Sequence, residues 1–172
     1  MFEFLRLFYD IILFKKTPQN IPFSPFLTRI TWVMYALINF VMLFMQSHWS
    51  SALLEIAVGT VMLMIFTRVT LAWVHKLERY QQTFCALLGT DALITFSALP
   101  ATAVTLIPTG NIAVLGLLIM IALMLWHWAV IGYISSHALD QPLGFSLGLA
   151  LLYVMIIYGL MEFLFPVVNA SY

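Results

Sequence analysis

Charge is the scarcest property of this 172-residue chain. Asp, Glu, Lys and Arg make up 8% of the residues, their signs balance to a net charge of zero, and 63% of the residues are hydrophobic. Soluble domains contain about 25% charged and about 45–50% apolar residues. A mean hydropathy of +1.04 therefore excludes an ordinary water-soluble domain and predicts a membrane protein. A neutral chain also has no long-range field to recruit nucleic acid, so no nucleic-acid partner is expected.

Cysteine and histidine are too scarce for the common cofactor sites. Cys85 is the single cysteine, which excludes an internal disulfide and a cysteine-based metal site. The four histidines are His48, His75, His127 and His137. No two of them lie four residues apart, and a zinc site needs about four convergent ligands. Since the chain also lacks a P-loop, an HExxH motif and a nucleophile elbow, we expect no metal, no other cofactor and no enzyme activity.

Five apolar stretches are long enough to cross a bilayer, which takes about 20 residues of helix. We predict spans at about 28–46, 51–74, 84–107, 112–134 and 145–165. The second is expected to continue as a basic, solvated helix to about Gln82. Short turns at SHWSS and PTGN and a loop at SSHALDQPLG connect the others. The predicted fold is an all-α integral membrane protein in which residues 1–172 form a single transmembrane domain.

The first 16 residues predict an amphipathic helix at the membrane interface. Glu3, Arg6 and Asp10 recur at spacings of three and four, which places them on one stripe of a helix. A helix of this length reaches about 24 Å, which is short for a span. It can lie in the interface, or it can dock on the protein's own spans or on a neighbour. Residues 17–27 are rich in proline, which prevents a regular helix and predicts an extended, turn-rich connector.

The seven Lys and Arg residues all fall on one side of the predicted bilayer when the spans alternate. Lys15, Lys16, Lys76 and Arg79 are the four expected at the lipid headgroups. The positive-inside rule then predicts a multi-pass protein of the cell inner membrane, with a cytoplasmic N-terminus and an outer C-terminus.

Arg68, Asp91 and His127 are ionisable residues inside predicted spans. Counted inward from the cytoplasmic side, all three lie about 7–11 Å deep, and charges in hydrocarbon are functional candidates. We predict direct or water-bridged contact between Arg68 and Asp91, with His127 within reach of the same layer. This polar layer is either a structural bridge or a site that opens to the cytoplasm for a lipid headgroup or a proton. Asn39, in the first span, is expected to hydrogen-bond between helices as a packing residue.

Two further groups of residues carry weaker predictions. Glu55, Glu162 and His48, near the outer ends of spans, form either a small polar cluster or separate interface residues. Gly144 and Gly148 form a GxxxG motif, which lets helix backbones approach closely. Such an approach can occur within the bundle or at the face of a dimer.

The later spans have a recognisable residue pattern. The third contains FCALLGTDALITFSALP, and the fourth and fifth read LWHWAVIGYISSHALDQPLGFSLGLALLY. From about Pro18 to Leu164 this layout resembles the bacterial branch of the Yip (Rab-interacting) family of polytopic membrane proteins. The DLYGP-type motif of the eukaryotic members is absent, so no small-GTPase partner is implied. The resemblance implies a non-enzymatic scaffold or accessory subunit that acts with other membrane protein subunits in the bilayer. The alternative class is a small transporter or lipid-handling protein that uses the polar layer.

Overall fold

The computed structural model describes residues 2–46, 48–105 and 111–165 as helices joined by short connections. The six helices are α1 (Phe2–Ile12), α2 (Pro25–Phe44), α3 (Trp49–Trp73), α4 (Tyr80–Thr105), α5 (Asn111–Leu139) and α6 (Leu143–Leu164). Helices α2 to α6 are long and apolar enough to cross a membrane, which confirms the predicted fold class. Most of the turn predicted at PTGN, the end of the predicted third span and the C-terminal tail lie outside the described residues.

Helix α4 is the centre of the bundle. Of its apolar stretch, 67% is buried inside the protein, against 33% or less for each of the other four long helices. Helices α1, α2, α3 and α5 all pack on it, and α6 packs mainly on α5. Small residues such as Ala86, Gly89 and Ala92 make this central position possible, because they let neighbouring backbones come close.

Three helices end at a non-glycine residue with left-handed backbone. These residues are Phe14 (φ 58°), His75 (φ 56°) and Asp140 (φ 52°). The N–H of the following residue returns to a carbonyl five positions back, as Lys76 does to Leu71 at 2.9 Å. This hydrogen bond is the signature of a Schellman helix end. Because His75 ends α3 in this way, the predicted continuation of that helix to Gln82 is wrong, and 80–82 begin α4 instead.

Two other predicted boundaries also move. Helix α2 begins at Pro25, because the Ser24 hydroxyl accepts a hydrogen bond from the Leu27 N–H at 3.3 Å and proline is favoured at the first helical position. Helix α5 runs to Leu139, five residues beyond the predicted end of its span. Its last turn stays helical because Ala138 and Leu139 are buried against α3.

Helix α1 docks on the bundle through its apolar face. Leu7, Phe8 and Ile11 are buried, whereas Glu3 and Arg6 are exposed, so the predicted amphipathic helix is confirmed. The Phe8 ring covers Gly89 of α4 so closely that a Cβ atom there would lie 2.5 Å from Cε1. Docking on the protein's own spans is therefore the alternative that holds, while the angle of α1 to the membrane plane stays a prediction.

The close α5–α6 contact is made by a glycine of α5. A Cβ atom added at Gly144 or Gly148 meets nothing within 4 Å, whereas one added at Gly132 would lie 2.5 Å from Leu147 Cδ2. The prediction that the GxxxG motif packs within the bundle is therefore wrong, because both of its glycines are exposed. A dimer face there stays a prediction. The small residues that α6 buries are Ser146 and Ala150.

Candidate functional site

Asp91 joins three helices through its two carboxylate oxygens. Oδ1 lies 3.1 Å from Nε2 of His127 on α5, and Oδ2 accepts a hydrogen bond from Nδ2 of Asn39 on α2 at 3.1 Å. The side chains of Asp91 and His127 are 19% and 31% exposed. An ionisable pair thus lies inside the bundle, with a neutral amide as its third member.

The parallel packing of α2 and α4 brings Asn39 to Asp91. Near the start of both helices, Gln81 Nε2 donates to Thr28 Oγ1 at 3.4 Å, and the two helices then run side by side. Asn39 Nδ2 also donates to the Tyr35 carbonyl one turn back at 3.1 Å. This local bond fixes the amide so that it points at the carboxylate.

Arg68 does not belong to this site. In the described part of the chain, no ion pair or hydrogen bond joins it to Asp91. Its guanidinium instead lies 5.7 Å from the centre of the Tyr80 ring. The reason is rotational, because Thr67 faces the core and the next residue points about 100° away from it. The predicted direct contact of Arg68 with Asp91 is wrong, whereas His127 lies beside Asp91, within the reach that was predicted.

Three adjacent cavities share Asp91 and His127 in their walls. Their volumes are about 280, 420 and 40 Å³. None of them has a Lys or Arg in its wall, so the local charge is negative or neutral. The other polar side chains of the 280 Å³ cavity are Tyr35, Asn39, Glu55, Tyr153 and Tyr158.

The cavities extend toward the end of the bundle where α2 ends and α3 begins. Gln46 follows α2, Glu55 lies in the second turn of α3, and Met161 lies near the end of α6; all three line these cavities. This is the side predicted to be outer, so a site that opens to the cytoplasm does not fit. Glu55 shares a cavity with Asp91, whereas the exposed residues Glu162 and His48 line none of the three.

The opposite end of the bundle is closed by an ionic cluster. Asp140 Oδ2 pairs with Lys76 Nζ and, at 3.0 Å, with Arg79 Nη1. Arg79 also donates to the Ala138 carbonyl at 3.3 Å, which places a cation at the negative end of α5. Hydrogen bonds from Lys76 and then Arg79 lower the pKa of the Asp140 carboxyl below its ordinary value.

The four basic residues predicted at the lipid headgroups thus differ in their contacts. Lys76 and Arg79 are half-buried and bind the end of α5. Lys16 is exposed and pairs with Asp10 at 3.3 Å, and Lys15 is exposed. Contact with headgroups stays a prediction for all four, but Lys76 and Arg79 have protein partners that the sequence did not indicate.

No family model, curated protein or solved structure matches the chain. The resemblance to the Yip family therefore stays a prediction. Within the described residues, no group of three or more His, Cys, Asp or Glu side chains is placed to hold a metal ion. The function has to be argued from the Asp91 site itself.

The hydrogen bond predicted between helices for Asn39 is confirmed, since its amide donates to Asp91. No sequence pattern indicates Tyr153 and Tyr158, since aromatic residues are ordinary in an apolar helix. The spacing of Tyr35 and Asn39, which are four apart and share one face of α2, is a signal for a polar face turned toward the bundle.

Proposed function

We propose that this protein is a small multi-pass membrane transporter that binds an organic cation at Asp91 in exchange for a proton. One observation carries the proposal: an Asp–His pair lies inside the bundle, in the walls of three cavities that contain no Lys or Arg. Ionisable residues at membrane depth are costly and typically mark solute or proton pathways.

The chemistry of the pair supports competition between protons and cations. His127 uses Nε2 toward Asp91, and in the described part of the chain its Nδ1 has no hydrogen-bond partner. A proton added at Nδ1 creates an imidazolium that neutralises the Asp91 carboxylate. When that proton leaves, the carboxylate charge becomes available to a cationic solute.

The shape and lining of the cavities favour a small organic cation. Volumes of about 280 and 420 Å³ fall near the lower limit of about 300 Å³ for ligand pockets. Trp128, Tyr35 and Tyr153 line the smaller of these two cavities, and aromatic faces attract cations. A substituted ammonium ion of modest size therefore suits the site better than an anion or a large lipid.

The charge distribution supports an orientation for the proposed transporter. Lys16, Lys76 and Arg79 lie at the end of the bundle opposite the cavities, and the positive-inside rule makes that end cytoplasmic. In this orientation the cavities face outward, the N-terminus is inside and the C-terminus outside, in a cell inner membrane. Reporter fusions after Gln82 and after Tyr172 should give cytoplasmic and external signals. The scaffold or accessory-subunit role implied by the resemblance stays a prediction, as does any partner subunit.

Thermal stability in the presence of added cations tests binding. Tetramethylammonium and choline chlorides, compared with sodium chloride at equal ionic strength, should raise the melting temperature of the purified protein. Asp91→Asn should abolish this response. Glu162→Gln is the matched control, because it removes an exposed carboxylate outside the cavities, and it should behave as wild type. Equal responses of the Asp91→Asn variant and the wild type would refute the assignment.

Transport can be measured in proteoliposomes loaded with a pH-sensitive dye. An inward gradient of the cation that binds should make the lumen more alkaline, because each cation that enters releases a proton outward. If the cation binds and protects but the lumen pH does not change, the protein is a cation-binding protein without proton exchange.

A further inference from the structure

A separate groove lies away from Asp91, at the end of the bundle that carries Lys76 and Arg79 (the basic end). It has a volume of about 430 Å³ and lies between α2, α3 and α4. Arg29 lines it, and the Arg68 guanidinium lies over Tyr80, whose side chain forms part of the same wall. Apolar and aromatic residues form most of the remainder, namely Pro25, Trp32, Met64 and Phe84.

The two arginines at this groove have no acidic partner. Lys16, Lys76 and Arg79 all pair with an aspartate, whereas in the described residues no ion pair involves Arg29 or Arg68. Both are exposed, and no carboxylate lines the groove. The groove therefore presents two uncompensated positive charges beside an apolar wall.

We propose that this groove binds an anionic phospholipid, with the phosphate held by Arg29 and Arg68 and an acyl chain along the apolar wall. Guanidinium groups match phosphate oxygens in geometry as well as charge. Basic pockets between transmembrane helices are recognised sites for acidic headgroups. Trp32 and Tyr80 are amphipathic aromatic residues of the kind that lie at headgroup level.

The position of the arginines along their helices fits the same ligand. Arg29 lies in the second turn of α2, and Arg68 lies near the end of α3, so both are at the basic end of the bundle. A hydrogen bond from Gln81 to Thr28 at 3.4 Å joins α4 to α2 at the groove. The groove shares no lining residue with the cavities around Asp91. Lipid binding here can therefore be tested independently of the proposed transport.

Lipid retention measured by native mass spectrometry tests the proposal. The protein, purified in a neutral detergent, is titrated with phosphatidylglycerol and, separately, with phosphatidylcholine. Each basic residue near a headgroup strengthens binding of an acidic lipid about fivefold, so Arg29→Gln and Arg68→Gln should each weaken phosphatidylglycerol binding by about that factor. The double variant should weaken it by about 25-fold, and phosphatidylcholine binding should change little. Arg6→Gln, which removes an exposed arginine of α1, is the matched control and should bind as wild type.

Three results would overturn the proposal. The first is equal retention of the two lipids by the wild-type protein. The second is a loss in Arg6→Gln as large as in the double variant, which would indicate general surface charge. The third is full competition by millimolar glycerol phosphate, which would indicate a soluble phosphate ligand. If a variant fails to fold, wild-type phosphatidylglycerol retention at 50 and 500 mM salt decides, because retention through the arginines should fall with salt.

Discussion

Replacing Gly89 by alanine probes the contact on which the docking of α1 depends. The added Cβ atom would lie 2.5, 2.6 and 2.7 Å from three carbons of the Phe8 ring. Carbon atoms in contact are ordinarily about 3.5–4.0 Å apart, so the ring must retreat by about 1 Å. It has little room to do so, because Phe8 is 3% exposed and its neighbour Ile11 is fully buried.

The expected loss is the difference between two opposing effects. Overpacking a tight contact costs about 1–3 kcal/mol, whereas alanine favours a helix over glycine by about 1 kcal/mol. Gly89→Ala should therefore lower the free energy of unfolding by about 1 kcal/mol. Gly148→Ala is the control, since its added Cβ meets nothing within 4 Å, and it should raise stability by up to about 1 kcal/mol. The difference in unfolding free energy between the two variants then measures the cost of the clash between the new Cβ atom and the Phe8 ring.

Unfolding in mixed micelles gives the global free energy, and trypsin reports the docking of α1. Lys15 and Lys16 are exposed just after that helix, so cleavage there should speed up when α1 loosens. Phe8→Leu removes part of the ring, and combined with Gly89→Ala it should lose less than the sum of the two single losses. Equal stability of Gly89→Ala and Gly148→Ala, with additive losses in the double variant, would refute the close packing of Phe8 on α4.

Three further substitutions test other parts of the fold. Asp140→Asn should lower stability at pH 7 by less than about 1 kcal/mol, because the carboxylate is half exposed. Glu78→Gln should have no effect. Since the pKa of Asp140 is lowered, its contribution is fully present above the ordinary aspartate pKa of about 4 and is lost as the pH falls through the lower pKa of the folded state, so the stabilities of Asp140→Asn and wild type should converge with increasing acidity in unfolding titrations. His75→Gly should raise the free energy of unfolding by about 0.5–1 kcal/mol, since glycine accepts the left-handed backbone without strain; an unchanged or lower value would contradict that conformation. Gly132→Ala should lower it by about 1 kcal/mol, because the new Cβ would lie 3.2 Å from the backbone of Leu147, which cannot turn aside, and an overpacking cost of about 1–3 kcal/mol is partly offset by the higher helix propensity of alanine; wild-type stability would contradict the close α5–α6 contact.

The number and nature of the long helices could be predicted because membrane burial imposes a strong pattern. Each span needs about 20 apolar residues in a row. Because only 8% of the residues are charged, the sequence can be divided into spans and connections in few other ways. The amphipathic α1 could be predicted for a related reason, since Glu3, Arg6 and Asp10 share one stripe. These features depend on composition and spacing along one helix.

The helix ends were less predictable because their signals were unusual. Schellman ends ordinarily carry glycine, but here Phe14, His75 and Asp140 occupy the left-handed position. Without a glycine there, α3 looked continuous with the basic segment that follows it. The loop predicted after Ile134 is present but shorter, covering only 140–142, because Ala138 and Leu139 are buried against α3 and keep α5 helical. Tertiary contacts of this kind are invisible to a reading of one helix at a time.

Arg68 and Asp91 show that the depth of a residue along its helix does not determine which way its side chain points. Counting residues placed both charges at similar depth, yet a contact also requires that the two helix faces meet. Asp91 meets Asn39 and His127 across α2 and α5, so its cost in hydrocarbon, about 2.5–3.5 kcal/mol for an unpaired charge, is offset inside the bundle. Arg68 is exposed, and its guanidinium lies over the Tyr80 ring. Asp91 and Arg68 therefore belong to two separate parts of the bundle, so the proposed cation site and the proposed lipid groove can be tested independently of each other.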